Sequence, residues 1–122
     1  DFEKNISYIN NLISKKNYAK AIEILSTINK DHIQYSMIKE KIKETSDLAV
    51  QELRKQAADS FGKAIPITDL KARAIYLKKS QSLLLKALKQ YPEASNMTTI
   101  RKNLHIINKN LELLRTQQKS NS

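Results

Sequence analysis

Apolar side chains recur every three or four residues along this chain, and short polar stretches interrupt the rhythm. In the first stretch Phe2, Ile6, Ile9 and Ile13 step by four, three and four, with Tyr8 and Leu12 beside them. This spacing lays a broad apolar stripe along one side of a helix and predicts a first helix over residues 2–15. Lys15-Lys16-Asn17 follows, with its cations suited to the negative end of the helix dipole. The stripe resumes at Tyr18, Ala21, Ile22, Leu25 and Ile28, so a second helix is expected over 18–29. So short a link obliges it to fold back antiparallel on the first.

Asn29-Lys30-Asp31 reads as the next break, and Asp31 with Gln34 three positions on predicts an N-cap and capping box. Ile38, Ile42, Ala49, Leu53, Ala57, Phe61 and Ala64 then hold helical register with no proline among them, which predicts one long helix over 33–63. Gly62 is expected to cap it, and Pro66 to keep Ile65 out of helical geometry. Thr68 or Asp69 would cap a fourth helix over 69–90, whose apolar positions Leu70, Ala74, Leu77, Leu84, Leu88 and Tyr91 skip one turn at Ser80 and Gln81. Pro92 stops it. Ser95 or Asn96 would cap a fifth, in which Met97, Ile100, Leu104, Ile107, Leu111 and Leu114 form the most regular seam of the chain. No large apolar side chain follows Leu114, and residues 118–122 are expected to be a flexible tail behind a single domain over 1–117.

Composition agrees with an all-α fold of about five helices in antiparallel hairpins, built around one long central helix. One glycine and two prolines are too few for the turns of a sheet protein or for a phosphate-binding loop. The absence of cysteine excludes disulfides, thiolate metal sites and thiol nucleophiles, and leaves the compartment open. No apolar run is long enough to cross a bilayer. Because the sequence opens on Asp1 and not on Met, it is expected to be part of a longer polypeptide.

Little in the sequence suggests chemistry. His32 and His105 stand in different elements, and neither has the second ligand at helical spacing that a metal site requires, so no metal or cofactor is expected. No Gly-x-Ser-x-Gly turn is present, and most carboxylates fall on polar faces with lysines nearby. Tyr8, Tyr18, Tyr35, Tyr76 and Tyr91 are expected to pack at hairpin turns and not to stack bases.

Charge is the one global feature that points outward. The chain carries a net charge of +10, and residues 68–122 hold eleven Lys or Arg against three acids. Four of the 22 cations are Arg, and the abundance of Lys, Asn and Ile is also what an AT-rich genome produces, so a merely solvated surface stays open beside attraction to an acidic partner. The candidate partner-binding residues are Lys71, Arg73, Lys78, Arg101 and Lys102.

Tyr18-Ala19-Lys20-Ala21-Ile22, with Leu25 and Ile28, resembles the second half of a tetratricopeptide repeat, where a small residue lets two helices approach and an aromatic fills the space beside the turn. Tyr76-Leu77, Leu84, Ala87-Leu88 and Tyr91-Pro92 are similar to the closing part of such a repeat. The likeness covers about half the chain; the Trp and Gly of a first repeat helix are missing, and the interval between the two stretches exceeds the usual repeat of about 34 residues. It implies a divergent tetratricopeptide-like right-handed superhelix that binds a peptide or helix of a protein partner without catalysis. A bacterial setting, in the cell envelope or the cytoplasm, is among those such repeats occupy. A plain antiparallel helical bundle is the rival architecture. Two other roles stay open: nucleic-acid binding through the basic C-terminal helices, and homo-oligomerisation through the seam of the fifth.

Overall fold

The computed structural model describes residues 2–120. They form five α-helices and no strand: α1 Phe2–Ser14, α2 Tyr18–Ser26, α3 Tyr35–Ala64, α4 Leu70–Gln90 and α5 Met97–Ser120. Each helix packs chiefly on its neighbours in sequence, so the chain is a series of antiparallel hairpins with the long α3 shared between two of them.

At the N-terminal end, α1 and α2 close on the start of α3 through Ile9, Leu12, Ala21, Leu25 and Ile38, with Ile6, Ile13, Ile28 and Ile42 around them. Ala21 is fully buried, as the close approach of α1 and α2 requires. The turn between them is a Schellman motif: Lys16 donates its amide to Ile13, Asn17 donates to Leu12 at 2.8 Å, and Lys16 takes the left-handed conformation at φ 61°. A lysine there bears the Cβ clash that glycine would escape. Its ammonium reaches Glu52 of α3 at 3.5 Å.

The second half of α3 forms the main core with α4 and α5. Ala49, Val50, Leu53 and Ala57 of α3 meet Leu84, Ala87, Tyr91, Ala94, Ile100 and Ile107. Ala64, Leu77 and Leu114 extend this packing to the far end. The turn of α4 that carries no large apolar residue is where α3 and α4 grip each other. Ser80, fully buried, donates its hydroxyl to the Ala57 carbonyl at 2.8 Å, and Ser60 donates to the Tyr76 carbonyl at 2.7 Å. Two small side chains, one from each helix, thus bond to the opposite backbone, which only close approach permits.

Several local expectations are corrected. α2 ends at Ser26, before the expected 29, and the link to α3 is held by side chains: Asn29 Oδ1 accepts the Asp31 amide at 2.9 Å and His32 Nδ1 accepts the Gln34 amide at 3.0 Å. Asp31 does not cap α3; Gln34 occupies the N-cap with no side-chain bond. Gly62 lies within α3 and does not end it, because no glycine here has positive φ and the last carbonyls are satisfied differently. Arg73 supplies that end, donating through Nε to Ala64 at 3.2 Å and through Nη2 to Ile65 at 2.8 Å. α5 continues to Ser120 through the expected tail, with the Thr116 and Ser120 hydroxyls bonded to carbonyls one turn back; residues 121 and 122 lie outside the described residues. Asp69 does cap α4, accepting the Ala72 amide at 3.0 Å. Before α5, Ser95 does not cap: its amide and hydroxyl both donate to the Asp47 carboxylate of α3, at 2.6 and 2.9 Å. Asn96 accepts the first helical bond, from Ile100.

Candidate functional site

Because α3 and α5 are each antiparallel to α4, they run in the same direction on either side of it, and a depression lies between them over buried residues of α4. The result is a groove. Ser80 and Leu84 form its floor, Ala57, Ala58 and Phe61 one wall, and Asn103, Ile106 and Ile107 the other, around a depression of about 240 Å³. Alanines keep the α3 wall low. Beyond Phe61 a second depression of about 230 Å³ continues along the same helices, past Leu77, Asn110 and Leu113 to Ile65. Ile106, Leu113 and Ile65 on its rims are 52%, 65% and 60% exposed, which is costly for large aliphatic side chains that have no structural task there. The charged residues lining the groove are Arg54 at one end and Arg73, whose guanidinium is committed to the end of α3.

Ile106 and Leu113 are not on the regular seam of α5. Ile100, Ile107 and Leu114 of that seam are buried, with Met97, Leu104 and Leu111 packed beside them, so within the chain the seam faces α4 and the main core. The sequence singles out the cations and not these rim aliphatics. The signal that marks them is the pair of doublets Ile106-Ile107 and Leu113-Leu114, seven residues apart: one member of each serves the seam, and the other builds a second stripe on a different face.

On the other side of α5, a furrow of about 600 Å³ separates it from α4. Lys71 and Lys78 line it from α4 and Arg115 from α5, around Ile75, which is 67% exposed; Gln81 donates to Asn108 across it at 2.8 Å. Of the five candidate cations, the structure brings only Lys71 and Lys78 together. Arg73 instead clasps the end of α3. Arg101 and Lys102 are exposed on the first turns of α5 and line neither the groove nor the furrow.

No family model, characterised protein or solved structure matches this chain.

The remaining titratable groups are spread out. The ring of His32 stacks on Phe2 with centroids 4.9 Å apart, and His105 is exposed on α5. Among the described residues, no three His, Cys, Asp or Glu side chains gather to hold a metal ion, and no helix is long and apolar enough to cross a membrane. Tyr91 is buried in the main core, with Tyr18 of α2 packed against the same cluster. Burial, and secondarily the neighbouring Tyr18, raises its hydroxyl above the ordinary tyrosine pKa.

Proposed function

We propose that the chain is a non-catalytic protein-interaction module of the divergent tetratricopeptide-like kind, which seats an amphipathic helix of a partner protein in the groove between α3 and α5. The observation that carries this reading is the groove itself: a trough floored by α4, walled by two parallel helices and rimmed by exposed aliphatic side chains. Its length suits a helix. From Asn103 to Gln117 the α5 wall extends about 21 Å at the rise of an α-helix, which a partner helix of about four turns would span. An extended peptide would bring unpaired backbone groups against a wall of aliphatic and alanine side chains, whereas a helix satisfies its own backbone and offers an apolar stripe. Ala57 and Ala58 let such a helix approach closely, and Asn103 and Asn110 can bond to its polar flanks.

The repeat-like part of the reading is supported by neighbour-on-neighbour packing, as in stacked hairpins, and by fully buried alanines at Ala21 and Ala87, the small positions of the two repeat-like stretches. Selection of displayed helical peptides against the full chain tests the function. Enriched peptides should share apolar residues at i, i+3, i+4 and i+7, and should bind the Ile106→Ser, Leu113→Ser double variant at least about tenfold more weakly. Peptides that bind that folded variant equally well, or no enrichment at all, would refute the reading.

A further inference from the structure

We propose that the furrow between α4 and α5 is a second docking site, separate from the groove, and that it takes an acidic segment of a partner protein with one aliphatic residue among its carboxylates.

The arrangement of charge is the first support. Lys71 and Lys78 are two helical turns apart on one side of α4, and Arg115 faces the same furrow from α5. Among the described residues none of the three is ion-paired, although Glu112 also lines the furrow. Three cations against one carboxylate leave the furrow positively charged in the free protein, and bound carboxylates relieve the repulsion among them. Arg115 adds a planar fork that can hold a carboxylate through two parallel hydrogen bonds.

The second support is Ile75, on the α4 turn between the two lysines. A purely anionic ligand would leave this side chain uncovered or desolvate it without gain. An aliphatic residue flanked by carboxylates covers it. Lys71 and Lys78 are separated by about 10 Å along the helix axis, and in a polyproline-II segment, with three residues per turn and a rise of about 3.1 Å, side chains three positions apart share one face at about 9 Å. The fitting segment therefore has two acidic residues three positions apart with an aliphatic residue between them.

The lining also discriminates against nucleic acid. No aromatic side chain lines the furrow to stack a base, and Ile75 lies where a phosphate backbone would need a donor.

Fluorescence anisotropy on the full chain tests the proposal, using a labelled peptide carrying Glu-Leu-Ser-Glu, its Leu-to-Ser counterpart, polyglutamate and single-stranded DNA. The furrow variant Lys71→Gln, Lys78→Gln, Arg115→Gln is compared with Arg101→Gln, Lys102→Gln, Lys109→Gln, which removes the same charge elsewhere. All these positions are exposed, and circular dichroism confirms that each variant is folded. The furrow variant should lose at least about tenfold in affinity for the leucine peptide and the control less than about twofold. The leucine peptide should bind several-fold more tightly than its serine counterpart, and the groove variant Ile106→Ser, Leu113→Ser should bind it unchanged. Equal losses in the two cation variants would reduce the effect to general attraction and overturn the proposal. Equal binding of the leucine and serine peptides, or furrow-dependent binding of DNA tighter than that of the peptide, would overturn it as well. Loss of peptide binding in the groove variant would merge the two sites and do the same.

Discussion

The two packed regions of this molecule hold their helices together by different means. Around α1 and α2 the interface is made of large aliphatic side chains closing over one buried alanine, while between α3 and α4 two serines that bond to the opposite backbone are added to the packing of Val50, Leu53, Leu77 and Leu84. The first arrangement draws its stability from buried area and tolerates some slippage. The second fixes the relative position of two helices through directional bonds, and it underlies the part of the chain that carries both candidate docking surfaces.

If the two regions are separate in this way, a large truncation in one should leave the other standing. Leu25→Ala, in the N-terminal cluster, should cost about 2–5 kcal/mol in denaturant unfolding. In native-state hydrogen exchange the amides of α1 and α2 should lose protection well before those of α4 and α5. Uniform loss across all five helices would show a single cooperative core and dissolve the contrast.

Overpacking probes the same contrast from the other side. Ser80→Leu should destabilise by about 1–3 kcal/mol, because the added bulk separates α3 from α4 and leaves the Ala57 carbonyl without its donor. Ala21→Leu should cost a similar amount in the first hairpin, again about 1–3 kcal/mol. Ser80→Leu alone should also weaken binding in the groove, since Ser80 is part of its floor. A Ser80→Leu variant with unchanged melting would mean that α3 and α4 are not closely apposed.

Smaller effects are expected at two backbone positions. Gly62→Ala should stabilise by about 0.5–1 kcal/mol, since the site is inside α3 and a Cβ there meets nothing within 4 Å. Destabilisation would mean that the glycine ends the helix after all. Lys16→Gly should gain up to about 1 kcal/mol from relief of the left-handed strain, less whatever the exposed pair with Glu52 contributes.

Tyr91 and Tyr18, where the two regions touch, give a pH test. The folded hydroxyl of Tyr91 titrates above the ordinary value of 10.0, so the folded state keeps a proton that the unfolded state releases. Its contribution to stability is therefore complete below pH 10 and is lost as pH rises from there through the raised folded value. Denaturant midpoints of the native chain should fall over that window more steeply than those of Tyr91→Phe, and parallel curves would contradict the assignment.

The same contrast explains what could be read from the sequence. α1 and α2 announce themselves because large aliphatics on one face and polar residues on the other leave a clear stripe, and the seam of α5 does so too. α3 is harder: it meets α2 along its first part and α4 along its second, so Thr45, Ser46 and Ser60 are buried beside its aliphatics and the polar face narrows. The turn at Ser80 reads as a gap in the pattern although it is a buried contact bonded to the opposite helix, because periodicity weighs hydrophobicity and not closeness. Several helix boundaries are legible in the sequence, the end of α4 at Gln90 among them, but the group that holds an end is legible only where it is local, as at Asp69. Those of α3 and α5 depend on Arg73 and Asp47, which arrive from other helices. The groove escaped for a related reason: apolar rim residues become informative only once it is known that nothing covers them.

Mapping a selected helical peptide onto the full chain by amide chemical-shift perturbation tests the docking claim most directly. Shifts should concentrate in residues 54–65 at the end of α3 and 103–117 of α5, with α1 and α2 unmoved. Shifts centred on the α1–α2 hairpin, or on the outer face of α3 and α4 around Asp59 and Lys79, would contradict it.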